Sequence, residues 1–137
     1  MDAAWRLDPK SAGLAWMFTD LTSQSQEFNR GSTAQDYVSS ALMAEGLAIR
    51  KALQHAISLN YAHIWIRSDS QVLIQAITMR RQLVELFGVL ADIDSLAFSP
   101  SSPFYLCRFS FVSRSCNGAA DNLAKACLST HLANLGP

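Results

Sequence analysis

The stretch HIWIRSDSQVL, residues 63–73, brings an apolar strand directly to a carboxylate. Ile64 and Ile66 alternate with other residues, as in a half-buried β-strand, and Asp69 follows between two serines. One explanation is local, because Ser68 followed three residues later by Gln71 has the spacing of a helix capping box. Asp69 would then lie in the first turn of a helix, where the helix dipole favours an acid. The other explanation is chemical, with Asp69 held at a strand end for a function.

Composition limits the classes of protein to consider. The chain has 137 residues, of which 50% are hydrophobic and 16% charged, and this predicts one folded domain over residues 1–137. The formal net charge of zero excludes the strongly basic field of a tight nucleic-acid binder, so any such binding is expected to be local. No apolar signal segment or membrane-length apolar run is present. We therefore expect a soluble, intracellular protein, in nucleus or cytoplasm, with a monomer favoured.

The three cysteines are Cys107, Cys116 and Cys127. An odd number at intervals of nine and eleven positions fits no usual zinc pattern. The sequence predicts reduced, mostly buried thiols that pack as small hydrophobic groups, which suggests a reducing compartment.

The hydrophobic pattern predicts the element order β-β-β-α-β-α-α-β-α. Strands are expected near Asp2, over 13–20, around 24–31, over 62–68 and over 103–112, and helices over 39–59, 69–79, 84–98 and 117–132. Ser39 or Ser40 is the candidate cap of the first helix. A hairpin-rich start followed by alternation indicates an α/β fold, with a mixed sheet covered by helices.

Glu45 lies on the apolar side of the first predicted helix. At about 100° per residue, five apolar side chains fall within about 80° of it: Leu42, Ile49, Ala52, Leu53 and Ala56. A lone carboxylate in such a stripe is costly to ionise. Glu45 is therefore either neutral or paired with a buried cation, or it belongs to a cluster of acids that binds metal.

Two further acids are ambiguous by themselves. Asp121 lies at the border of the apolar side of the last predicted helix, about one turn after its candidate N-cap, Asn117. A surface acid near a helix N-terminus is the alternative for Asp121. Asp2 precedes a short extended piece, Ala3-Ala4-Trp5, and has no meaning alone.

Four segments together resemble the ribonuclease H-like domain found in plant proteins and in reverse transcriptases of plant retroelements. They are DAAWRLDPKSAGLAWMF (2–18), VSSALMAEGLAIRKAL (38–53), IWIRSDSQVLIQAI (64–77) and RSCNGAADNLAKACL (114–128). The resemblance implies a ribonuclease H-like fold whose five-stranded mixed sheet has three antiparallel strands and then two parallel additions. Because Asp2 directly follows Met1, the first strand is expected to be truncated.

The resemblance also implies an active site and a reaction. The family's four catalytic, metal-binding acids map onto Asp2, Glu45, Asp69 and Asp121. They would hold two Mg²⁺ ions, with Mn²⁺ as a substitute, for hydrolysis of the RNA strand of an RNA–DNA hybrid. The positions assigned to substrate binding are Ser70, Arg114 and Asn117.

Some features depart from the family pattern. Ala3 replaces a glycine often found after the first aspartate, and the loop 112–116 lacks the histidine that many ribonucleases H carry there. No basic helix-loop for gripping hybrid is present. Two alternatives follow: a nucleic-acid-binding or interaction module without efficient catalysis, and a nuclease of the same fold that cuts structured DNA or duplex RNA.

Overall fold

The first three strands form an antiparallel sheet in which their spatial order is their order along the chain. A computed structural model describes residues 2–6, 11–19, 27–81, 83–113 and 125–129. In it β1 spans Asp2–Arg6, β2 Ser11–Thr19 and β3 Glu27–Asp36. The five residues of β1 pair only with 11–15 of β2, whereas β2 pairs with β3 along its whole length. The first strand is thus short beside its neighbours.

The third strand differs from its prediction. It was expected around 24–31 but runs from Glu27 to Asp36. Its later part, STAQD, is polar and carries no local strand pattern. Ladder pairing with β2, from Trp16↔Gly31 to Ser11↔Asp36, makes this part a strand.

The two remaining strands are parallel. β4, His63–Ser68, pairs with β5, Leu106–Phe111, in a register from His63↔Leu106 to Ser68↔Phe111. The predicted α/β arrangement of three antiparallel and two parallel strands is confirmed. Within the described ranges the strands form two sheets, one of β1, β2 and β3 and one of β4 and β5. The short β1 pairs with β2.

Three helices join the strands: α1 (Ala41–Ser58), α2 (Gln71–Thr78) and α3 (Phe87–Phe98). Ser40 caps α1, as predicted, because its hydroxyl accepts from the Met43 amide at 3.0 Å. A 3₁₀ turn, Val84–Leu86, precedes α3, and residues 125–129 are helical. No helix in the described parts of the chain is long and apolar enough to cross a membrane.

Helix α1 is the centre of the core. It packs against β1 and β2 on one side and α3 on the other. Its buried surface is wider than the stripe read from the sequence, because Ala44, Gly46 and Leu47 are buried as well. A helix enclosed on two sides buries residues that a one-sided pattern assigns to solvent.

A tryptophan, a glycine and a histidine interlock at the β2–β3–α1 junction. The buried Trp16 ring lies over Gly31, where an added Cβ would come within 2.4 Å of the ring. The Trp16 Nε1–H donates to His55 Nδ1 at 2.7 Å. Because the indole nitrogen is only a donor, Nδ1 must act as the acceptor and carry no proton. His55 is half-buried.

Helices α1 and α2 end in the same backbone motif with different residues. Asn60 follows α1 at φ 61° and Arg80 follows α2 at φ 53°. In each case the amide of the following residue donates back to a carbonyl of the last helical turn, as in a Schellman motif. Tyr61 donates to the Ala56 carbonyl at 3.1 Å, and Arg81 donates to the Ala76 carbonyl at 3.0 Å. Asparagine tolerates this left-handed conformation, whereas arginine there costs about 1 kcal/mol.

Burial dominates the chemistry of Cys107 on β5. Cys107 and Cys127 are free and half-buried, in agreement with the prediction, and Cys116 lies outside the described residues. Desolvation by burial raises the pKa of the Cys107 thiol from its ordinary 9.0 to about 12. The folded chain therefore keeps this proton at pH values where the unfolded chain has lost it.

This difference predicts an alkaline weakening of the fold. Below pH 9 both states hold the thiol proton, and between about 9 and 12 only the folded state does. The free energy of unfolding should therefore fall as pH rises through that window. Urea denaturation of wild type and Cys107→Ala at pH 7.5, 9 and 10.5 isolates the effect, because other titrating groups cancel in the difference. Parallel pH profiles for the two proteins would contradict the assignment.

Candidate active site

Glu45 reaches from α1 to the first strand. Its Oε1 accepts from the Ala3 amide at 3.3 Å, a contact between residues 42 positions apart, and its Oε2 is buried. The side chain as a whole is half-buried. Helix α1 therefore places this carboxylate against β1, one residue from Asp2. Whether Glu45 is neutral or paired with a buried cation, or belongs to a metal-binding cluster of acids, stays a prediction.

Asp69 follows a strand end that is held on both sides. The preceding Ser68 is fully buried, its hydroxyl accepts from the Ser70 amide at 3.1 Å, and its carbonyl accepts from the Val112 amide at 2.9 Å. Asp69 is half-buried, and its Oδ2 is covered by protein. The backbone that carries this carboxylate is thus anchored to both β5 and the start of α2.

The predicted capping box is wrong in detail. Helix α2 begins at Gln71, and its N-cap is Ser70, whose hydroxyl accepts from the Leu73 amide at 3.4 Å. Ser68 belongs to the β4 ladder and braces the turn before the helix. The predicted cap, Ser68, therefore lies two residues before the observed cap, Ser70. Ser70, predicted to bind substrate, keeps its O–H proton for donation while its oxygen caps the helix.

The other predicted site residues are only partly described. The backbone of Asp2 lies in β1, paired with Ala15, but its side chain lies outside the described part. Three further positions lie wholly outside the described residues: Arg114, Asn117 and Asp121. Among the residues that are described, no group of three or more histidine, cysteine, aspartate or glutamate side chains could hold a metal ion. Those assignments stay predictions.

The described carboxylates have the chemistry that a hard cation requires. Mg²⁺ prefers carboxylate oxygens as ligands. Glu45 and Asp69 each have a carboxylate oxygen buried in the protein, and the Ala3 amide holds the other oxygen of Glu45. The chemistry of these two carboxylates suits a divalent cation, and a magnesium site that includes Asp2 and Asp121 stays a prediction.

The sequence matches the reverse transcriptase-like family over residues 1–127. The chain belongs to this family. No curated protein sequence matches this reverse transcriptase-like domain significantly. The predicted resemblance is confirmed at the level of the family, while its plant qualifier stays a prediction.

Solved structures of ribonucleases H have the same fold as this reverse transcriptase-like domain. RNase H1 of the halophilic archaeon Halobacterium salinarum is 23% identical, with a TM-score of 0.81 and 94% of each chain covered. The N-terminal RNase H domain of a Mycobacterium tuberculosis protein is 19% identical, with a TM-score of 0.81, 98% of this chain and 94% of that chain covered. An RNase H1 crystallised with an RNA/DNA hybrid is 20% identical, with a TM-score of 0.74 and 96% and 95% covered.

Proposed function

We propose that this domain is a metal-dependent endonuclease that hydrolyses the RNA strand of RNA–DNA hybrids. The observation that carries the proposal is the contact between Glu45 Oε1 and the Ala3 amide, which sets a half-buried acid of α1 beside the strand of Asp2. Asp69 supports it from the anchored end of β4. The similarity to a ribonuclease H that was crystallised with RNA/DNA hybrid supports the choice of substrate.

Each acid has a role in this proposal. Glu45 and Asp69, with Asp2 and Asp121, would hold two Mg²⁺ ions, which would supply a water of lowered pKa and charge stabilisation for the leaving 3′-oxygen. The protein's own contribution is position. The Ala3 amide orients Glu45, and the Ser68 contacts hold the backbone before Asp69. Rigid placement matters because a ligand displaced by about 1 Å costs on the order of 100-fold in rate.

Substrate recognition is expected to be local and independent of sequence. The formal net charge of zero leaves no broad basic field to hold a nucleic acid. Hybrid is selected by its 2′-hydroxyls and groove shape, through short contacts that include Ser70, Arg114 and Asn117. Affinity for hybrid should consequently be modest.

A cleavage assay with four substrates tests the proposal. Hybrid labelled on its RNA strand is incubated with Mg²⁺, with Mn²⁺ or with a chelator, beside duplex RNA, duplex DNA and single-stranded RNA. We expect metal-dependent cleavage of the hybrid RNA strand alone. Hybrid that binds without being cut in either metal would overturn the enzymatic proposal in favour of a binding module. Preferential cutting of duplex RNA would instead assign a different substrate.

Replacement of Glu45 by glutamine separates a metal ligand from a structural acid. Loss of one carboxylate should weaken Mg²⁺ binding by roughly 10- to 100-fold. Metal-free stability should stay the same or rise, because repulsion among the acids is relieved. Calorimetric Mg²⁺ titration and metal-free thermal denaturation measure the two effects. The matched control is Glu85→Gln. Glu85 is exposed and accepts a hydrogen bond from the Ser40 hydroxyl. A metal-free loss of about 3 kcal/mol or more would indicate a buried cation partner for Glu45.

A further inference from the structure

A cavity of about 230 Å³ opens between α2 and α3, and neither Glu45 nor Asp69 is among the described residues that line it. Its floor is aliphatic: Ile77 and Ile93 are almost fully buried, and Leu83 and Leu90 are half-buried. A cavity with such walls offers water few hydrogen-bond partners, so an apolar group is its favoured content.

The mouth of the cavity is cationic. Arg80 and Arg81 both line it and are exposed. The Arg80 guanidinium lies over the Phe98 ring, 5.6 Å from its centroid, and its Nε is 3.9 Å from Asp94 Oδ1. At that distance, with the Arg80 and Asp94 side chains 70% and 52% exposed, Asp94 offsets Arg80 weakly. Two guanidinium groups against one carboxylate leave the mouth with a net positive charge.

The backbone at the mouth gives a second, independent observation. Arg80 occupies the left-handed position after α2, where α1 has the better suited Asn60. Backbone strain of this kind persists only where the surrounding structure fixes it, and it is enriched at ligand sites. The ring contact and the long ion pair of Arg80 are both exposed and weak, so they do not explain an arginine at this position. A role for the Arg80 guanidinium at the mouth of the cavity would explain the arginine.

We propose that the α2–α3 cavity binds a small amphipathic monoanion, a carboxylate carried on a short apolar chain. The chain fills the aliphatic floor, and the carboxylate accepts N–H donors from Arg80 and Arg81, in the forked geometry that guanidinium groups favour. With about 30 Å³ for each water-sized group, the cavity holds on the order of eight non-hydrogen atoms. The seven-carbon tail of octanoate matches this size, and its carboxylate, at the mouth, supplies the charge. The site is separate from the proposed nuclease reaction and does not depend on it.

Titration of the whole chain with three probes tests the match of tail and head. Octanoate, 1-octanol and acetate are followed by amide chemical shifts of α2 and α3. We expect saturable binding of octanoate at one site, roughly tenfold or more weaker binding of 1-octanol, and none of acetate. Failure of octanoate to saturate at millimolar concentration, or equal binding of octanoate and 1-octanol, would overturn the proposal.

Variants at the mouth distinguish a binding role from a structural one. Ala91, exposed on α3, lines the cavity, and Ala91→Leu should abolish octanoate binding by filling it. Ser95→Leu makes a similar change one turn further along α3, at an exposed residue outside the lining, and should leave binding unchanged. Octanoate bound equally by Ala91→Leu and wild type would refute the assigned site.

Charge variants test the head-group contact. Arg80→Gly should weaken octanoate binding roughly tenfold while the melting temperature stays the same or rises, because glycine relieves the left-handed strain. Arg81→Ala should weaken binding without that gain in stability. Asp94→Asn should tighten binding roughly two- to fivefold, the range of an exposed ion pair. If Arg80→Gly lowers the melting temperature and leaves octanoate binding intact, Arg80 is structural and the proposal fails.

Discussion

Replacement of Asp69 by asparagine is expected to lower cleavage of RNA–DNA hybrid at least about 100-fold, the scale on which removing a single charge-stabilising group acts in an active site. Asparagine has the same shape but lacks the negative charge that a divalent ion requires. Because Ser68 and Ser70 make the contacts that hold the turn, the fold should survive the change. Initial rates at saturating Mg²⁺ and a thermal melt of each protein measure the two effects.

The matched control for this change is Asp92→Asn. Asp92 is exposed on α3 and pairs with Arg50 at 2.7 Å, so its replacement loses a surface ion pair and leaves the proposed site intact. Its activity should stay within about twofold of wild type, as expected for loss of a surface pair. Equal activity of wild type and Asp69→Asn would remove Asp69 from the catalytic set. A melt showing that Asp69→Asn is unfolded would move the test to Glu45→Gln.

Replacement of Gly31 by alanine should strongly destabilise the fold. The new Cβ would lie 2.4 Å from two carbons of the Trp16 ring, closer than atoms pack. The ring cannot move aside cheaply, because it is buried and its nitrogen donates to His55. We expect a loss of about 3 kcal/mol in the free energy of unfolding, the upper part of the range for overpacked cores. Urea denaturation with a shared m-value measures it.

Gly88→Ala is the same chemical change at an open position and serves as the control. Nothing lies within 4 Å of a Cβ added at Gly88, which is exposed in α3. Alanine should therefore stabilise the fold by about 0.5–1 kcal/mol through helix propensity. In a Trp16→Leu background the cost of Gly31→Ala should shrink, since the smaller side chain removes the ring atoms. Similar effects of the two glycine changes would contradict the Trp16–Gly31 contact.

Local pattern was sufficient for the elements with strong periodicity. The helix predicted over 39–59 with Ser39 or Ser40 as its cap corresponds to α1, and the strand predicted over 62–68 corresponds to β4. These features depend on neighbours a few residues apart, which a single sequence contains. The later half of β3 could not be predicted, because its polar residues become a strand only through the ladder with β2.

The candidate site also has features that the local sequence predicts and features that only the tertiary structure determines. Its residue types and their place on elements, Glu45 on an apolar helix face and Asp69 after a strand, follow from spacing and from the resemblance to a known family. The Ala3–Glu45 contact across 42 positions, the brace at Ser68 and the Trp16–His55 hydrogen bond do not. Each depends on which surfaces meet when the core packs, and packing is a long-range property that local periodicity does not encode. The α2–α3 cavity and its cationic mouth belong to the same class, since they exist only where two helices meet.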